Sequence, residues 1–134
     1  VSARPASGTL LCRVDEIEDP GAKGFVFGAN VERWEMFVVR IGDRVYGYEN
    51  ACPHIGTPLE TFADQFLTPD RRQILCTTHG ARFMIETGAC VSGPCRGDAL
   101  RAVALEIADG NVRVGKKPGE PSSNMSQDQS LPVV

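Results

Sequence analysis

At 134 residues, with 42% apolar and 23% charged side chains, the chain has the size and make-up of one globular domain, large enough to bury roughly two-thirds of its unfolded surface. A net charge of −3 gives no basic footprint, so nucleic acid is excluded as an expected partner; Lys116-Lys117 is too short a run to change this. No apolar stretch approaches the roughly 18 residues of a membrane span.

The first stretch, Val1 to Leu11, lacks the charged-then-apolar order of a secretory signal. Thr9 to Val14 reads as the first strand. Asp19-Pro20-Gly21 marks a turn, because Pro and Gly supply the dihedrals that turns require. Gly24 to Ala29 and Trp34 to Ile41 are rich in aromatic and β-branched residues and read as strands. A hairpin turn at Ile41 to Arg44 leads into Arg44 to Glu49, with Val45 and Gly47 on one face and Tyr46 and Tyr48 on the other. Cys52 to Pro58 is a loop rich in Pro and Gly. Leu59 to Leu67 is expected to form a short helical turn, followed by a polar turn over Thr68 to Arg72. Gln73 to Cys76 is a strand that ends in a second loop, Cys76 to Ala81. Arg82 to Glu86 pairs back across Thr87-Gly88, and Ser92-Gly93-Pro94 is a further turn. Leu100 to Ile107 alternates apolar and polar residues, as a half-buried strand should. Asp109-Gly110 is a tight turn before the last strand, Asn111 to Val114. From Gly115 onward Lys, Pro, Ser, Asn and Gln dominate, and residues 116–134 read as a polar tail.

The chain has five cysteines, an odd number that argues against an extracellular disulfide scaffold, and only two histidines. Two of the cysteines stand beside those histidines in two half-sites, Cys52-Pro53-His54 and Cys76-Thr77-Thr78-His79, each followed by a glycine, Gly56 or Gly80. Two loops at neighbouring hairpin tips can meet and present four ligands to one object. Thiolate with imidazole suits zinc or iron–sulfur. The Cys-x-His spacing is tight for a zinc finger. Two cysteines on one iron and two histidines on the other is the other known solution.

The stretches CPHIGTPL (Cys52 to Leu59) and CTTHGARF (Cys76 to Phe83), with Thr87-Gly88 and Ser92-Gly93-Pro94 downstream, resemble the Rieske family. The resemblance runs from about Leu10 to Gly115. It implies an all-β fold, a Rieske-type antiparallel sandwich or barrel over residues 1–115, with a small cluster-binding subdomain at about 50–97. It further implies a [2Fe-2S] cluster, with Cys52 and Cys76 on the inner iron and His54 and His79 on the outer iron. The expected role is that of a soluble, cytoplasmic one-electron carrier between a reductase and an oxygenase, with no catalytic site of its own. Two other functions stand beside it. One is a Rieske fragment or subunit of a ring-hydroxylating oxygenase, though both histidines are already used and none remains for a mononuclear iron. The other is a zinc-stabilised interaction module.

The sequence departs from the high-potential branch of the family. Thr57 and Thr78 stand where that branch has a disulfide, and Ala81 and Phe83 where it has hydroxyls near the cluster. These departures imply a potential at the low end of the Rieske range. The separation between loops is long for the family, and the extra residues around Phe62 to Arg72 suggest a docking surface. Cys12 reads as a small buried hydrophobe. Cys90 and Cys95 read as two thiols, with a bridge between them the alternative. Trp34, Tyr46 and Tyr48 read as packing aromatics rather than electron relays. Arg71-Arg72 reads as a solvated turn. Pro53, Ile55, Pro58 and Pro94 are expected to rim the site as an apolar patch that shields it and receives a partner.

Overall fold

The computed structural model describes residues 4–53, 59, 64–77, 80–94 and 96–116. Among these, nine strands form three antiparallel sheets of three strands each, with two short 3-10 turns and no α-helix. The strands are β1 (Leu10–Arg13), β2 (Gly21–Phe27), β3 (Trp34–Ile41), β4 (Arg44–Glu49), β5 (Gln73–Leu75), β6 (Arg82–Met84), β7 (Cys90–Ser92), β8 (Leu105–Ala108) and β9 (Asn111–Val114). Their orders are β1-β9-β8, β2-β3-β4 and β5-β6-β7. This is the all-β architecture that the sequence predicts.

The central sheet explains why β3 shows a continuous apolar run rather than alternation. Met36, Phe37, Val38 and Val39 are all fully buried, because β3 lies between β2 and β4 and is covered on both faces. Phe37 and Val39 join one core with Tyr48, Leu59, Phe66, Ile74, Phe83 and Leu100. Met36 and Val38 join a second core with Cys12, Ile17, Val103, Leu105 and Val112. The first core packs the central sheet against β5-β6-β7, and the second packs it against β1-β9-β8. β4 divides as its sequence implies. Tyr46 and Tyr48 contribute to the first core and Val45 to the second. Gly47 lies so close to the second layer that a Cβ there would stand 2.9 Å from the Val103 carbonyl oxygen.

Several boundaries differ from those expected. β2 begins at Gly21, not Gly24, since Gly21 already pairs with Arg40. A side chain at Gly21 would meet Glu18 Cβ at 2.6 Å, so the glycine read as a turn residue also permits a close approach inside the ladder. At the other end Gly28 turns to φ +74° and stops the strand. The strand expected over Leu100 to Ile107 is regular only as β8. Upstream of it the chain passes from the edge of the third sheet to the central one: Ala99 bridges Ala89, between β6 and β7, and then Ala102 bridges Tyr48 and Val103 N donates to Gly47 O at 2.8 Å, both on β4. An extended segment that changes partners cannot form one ladder, although Leu100, Val103 and Leu105 remain buried. Of the helical turn expected over Leu59 to Leu67, residues 60–63 lie outside the described set. Asp64 takes φ +63° and Leu67 bridges Ile74, so the described part is not helical. The tail expected at 116–134 lies outside the described residues from 117 onward.

Tyr48 ties the central sheet to the third one. Its hydroxyl donates to the Ile85 carbonyl at 2.6 Å, and burial pushes its phenol up to about 12. Tyr48→Phe leaves that buried carbonyl without this donor and is expected to cost about 1–2 kcal/mol in denaturant unfolding. A raised phenol pKa means that the folded state holds the proton where the unfolded chain, near its ordinary value of about 10, has lost it. The wild type should therefore lose stability relative to Tyr48→Phe as pH rises from about 10 to about 12. Equal pH dependence of the two proteins in that window would contradict the assignment.

Candidate metal centre

The first ligand loop leaves β4 at Asn50. Asn50 N donates to Glu35 O at 2.9 Å, which keeps the chain on the edge of β3 one residue past the strand. Its side chain is buried and turns back across the loop. Oδ1 accepts from Leu59 N at 2.8 Å, and Nδ2 donates to Glu35 Oε1 at 3.3 Å. One side chain thus holds the start of the loop near its end, a local use of Asn that turn chemistry favours.

The second ligand loop is the tip of the β5–β6 hairpin. Cys76 N donates to Ala81 O at 2.8 Å, and Gly80 N donates to Cys76 O at 2.7 Å. The closure needs φ +75° at Gly80, which glycine adopts without penalty.

The two loops meet. Leu59 O, at the end of the first, accepts from both Thr77 N at 2.9 Å and Thr77 Oγ1 at 3.0 Å in the second. Cys52, Leu59, Cys76 and Ala81 are each fully buried and belong to one core. A third segment closes over the second loop. Gly93 has φ +97°, and a Cβ there would stand 2.7 Å from Ala81 Cα, so only glycine lets the 92–94 turn lie this close. Pro94 is exposed beside it and Pro53 is half-buried.

The residues present fit a group that needs thiolate ligands shielded from water. Two cysteines from converging loops are brought into one buried region, and a thiolate there requires a cation or cluster to offset its charge. His54 and His79 lie outside the described residues, as do Ile55, Pro58, Thr57, Thr78 and Cys95. Cys12 is in the other core, where burial first and Glu16 second push its thiol pKa up, consistent with an inert hydrophobe. Cys90 is buried on β7, and its Sγ donates to Ser92 O at 3.3 Å. Trp34 packs at a tilt of 40° against Phe27, 6.3 Å between centroids, under the Arg4 guanidinium at 5.1 Å. Arg71 is not purely solvated: it takes φ +59° and reaches Glu18 Oε1 at 3.0 Å and Pro20 O at 2.7 Å. A groove of about 530 Å³ lies between β2 and the 64–71 segment, and one of about 410 Å³ borders Cys52 and Pro53.

Sequence reasoning missed Asn50, Leu59 and Thr77 as the residues that join the half-sites. Asn50 left a trace: a polar side chain directly after an amphipathic strand and two positions before a ligand is a capping candidate. The bond from Thr77 to Leu59 spans 18 positions and left none.

The family model of the Rieske [2Fe-2S] domain matches residues 8–109. No curated protein matches the sequence significantly. Among solved structures, the chain is similar to the ferredoxin of carbazole 1,9a-dioxygenase from Nocardioides aromaticivorans IC177, at 25% identity and TM-score 0.65, over 84% of this chain and 100% of that one. It is also similar to a chain from a complex of reduced oxygenase and oxidised ferredoxin in carbazole 1,9a-dioxygenase, at 25% identity and TM-score 0.62, over 79% and 99%. The terminal oxygenase of the Nocardioides system shares the fold over 94% of this chain but only 34% of its own, at 19% identity and TM-score 0.68. The zinc reading gives way to this match, and the chain belongs to the Rieske [2Fe-2S] family, carries a [2Fe-2S] cluster and serves as a one-electron carrier.

Proposed function

We propose that Cys52, Cys76, His54 and His79 hold the cluster, and that the chain delivers electrons from a reductase to a terminal oxygenase. The single observation that supports the ligand set most is the stitching of the two loops at Leu59 and Thr77, with Cys52 and Cys76 buried in the same core. When bound, the cluster supplies a centre that takes up and returns one electron. The chain's own residues shield the two thiolates from water and hold the loops together at Leu59 and Thr77. A ferredoxin matched along its whole length, and a chain from a ferredoxin–oxygenase complex, support an oxygenase as the acceptor. In this reading both histidines of the sequence are taken by the cluster, so these 134 residues offer none to a further iron centre. Among the described residues no helix is long and apolar enough to cross a membrane.

Titration of the holoprotein with dithionite should consume one electron per chain, and the reduced form should be reoxidised on mixing with a ring-hydroxylating terminal oxygenase. Failure to accept an electron would overturn the carrier role, and failure with the cognate oxygenase would overturn the acceptor.

Ala81 and Phe83 are both buried and offer no hydroxyl to the region of the second loop. Fewer donors stabilise the reduced form. The midpoint potential is therefore expected near the low end of the Rieske range, around −150 mV. A value above about +100 mV would contradict this.

A further inference from the structure

Leu59 is fully buried, and both of its backbone polar groups point at the ligand loops. Its N–H goes to Asn50 Oδ1, two residues before Cys52, and its carbonyl takes two bonds from Thr77, one residue after Cys76. The chain Asn50–Leu59–Thr77 therefore runs from one half-site to the other. Asn50 is itself held on β3 through Glu35, by its backbone N–H and by its amide. The reference point is thus the rigid central sheet rather than another loop.

We infer that Asn50 and Thr77 are positioning residues for the cluster: through Leu59 they fix the distance and orientation of the second half-site relative to the first. This inference rests on the ligand set proposed above. The backbone bond from Thr77 N would hold the loops at roughly the right separation without the side chain. The second bond, from Thr77 Oγ1 to the same carbonyl, removes the remaining freedom to rock about the first. Two donors on one acceptor define a direction as well as a distance. A ligand loop free to rock presents its donor atoms over a range of geometries, and outer contacts of this kind tune a metal site and its retention.

The test compares three holoproteins: wild type, Thr77→Val and Thr77→Ser. Valine keeps the shape of threonine and removes the hydroxyl, whereas serine restores it. Cluster loss at fixed temperature is followed by the decay of visible absorbance in the presence of an iron chelator, and the reduced EPR spectrum is recorded for each. The expected result is cluster loss several-fold faster and broader EPR lines for Thr77→Val, with both returned close to wild type in Thr77→Ser. Equal loss rates and line widths in all three would overturn the inference, as would a serine variant no better than valine. Should Thr77→Val fail to hold a cluster at all, Asn50→Ser, which keeps a shorter acceptor, is expected to give the intermediate loss rate; a wild-type rate there would overturn the inference. The wild-type spectrum alone tests the ligand set, so failure of that proposal is read separately from failure of this one.

Discussion

Replacing His79 or His54 with Cys is expected to lower the reduction potential by on the order of 100 mV, provided that the variant assembles a cluster. The reason is charge. An imidazole ligand is neutral and a thiolate carries a full negative charge, so each replacement makes the centre one unit more negative and the added electron less welcome. All-cysteine clusters of plant-type ferredoxins lie near −400 mV, against roughly −150 mV and above for Rieske centres. Two substitutions separate those types, and about half of the smallest gap is assigned to each. The shift is read by redox titration of the EPR signal. A holoprotein variant with an unchanged potential would mean that the histidine replaced is not a ligand.

Phe66→Ala is expected to be among the most damaging single changes to stability. The Phe66 ring is fully buried and stacks on Phe37 at 4.3 Å between centroids, with 7° between planes. Gly24 makes room for it, because a Cβ there would already stand 3.2 Å from the ring. Its backbone carbonyl also accepts from Leu75 N at 2.8 Å, one residue before Cys76. Truncation of such a phenylalanine costs about 3–5 kcal/mol, out of a total stability of about 5–15 kcal/mol for a domain. A drop of roughly 10–20 °C in the melting temperature should follow. Cluster loss should accelerate as well, since Phe66 buttresses the strand that delivers Cys76. Denaturant unfolding measures the first effect, and a loss under about 1 kcal/mol would show that the stacked pair is not part of the supporting core.

The strands were legible in the sequence wherever local chemistry agrees with the final environment. Arg44 to Glu49 reads correctly because its two faces meet two different layers, and Trp34 to Ile41 because a middle strand under two layers needs apolar residues on both faces. The family was legible because Cys and His close together, followed by Gly, is a rare combination with a specific use. Segments whose conformation is set by distant partners were not legible. Leu100 to Ala104 alternates like a strand but changes partners, from Gly88 through β4 to Gly115. Leu59 reads as the first residue of a helical turn, yet its backbone is spent on Asn50 and Thr77. Gly21 reads as a turn residue, yet it pairs with Arg40 on β3, far along the chain. In each case the deciding contact lies outside the window over which periodicity or turn chemistry operates.

The proposed grip of two sulfurs and two imidazoles on one centre is tested most directly by pulsed EPR of the reduced holoprotein. Two inequivalent nitrogens strongly coupled to the unpaired electron are expected, both lost in His54→Cys/His79→Cys if that double variant assembles a cluster. A reduced cluster with no strongly coupled nitrogen would contradict the mixed ligand set outright.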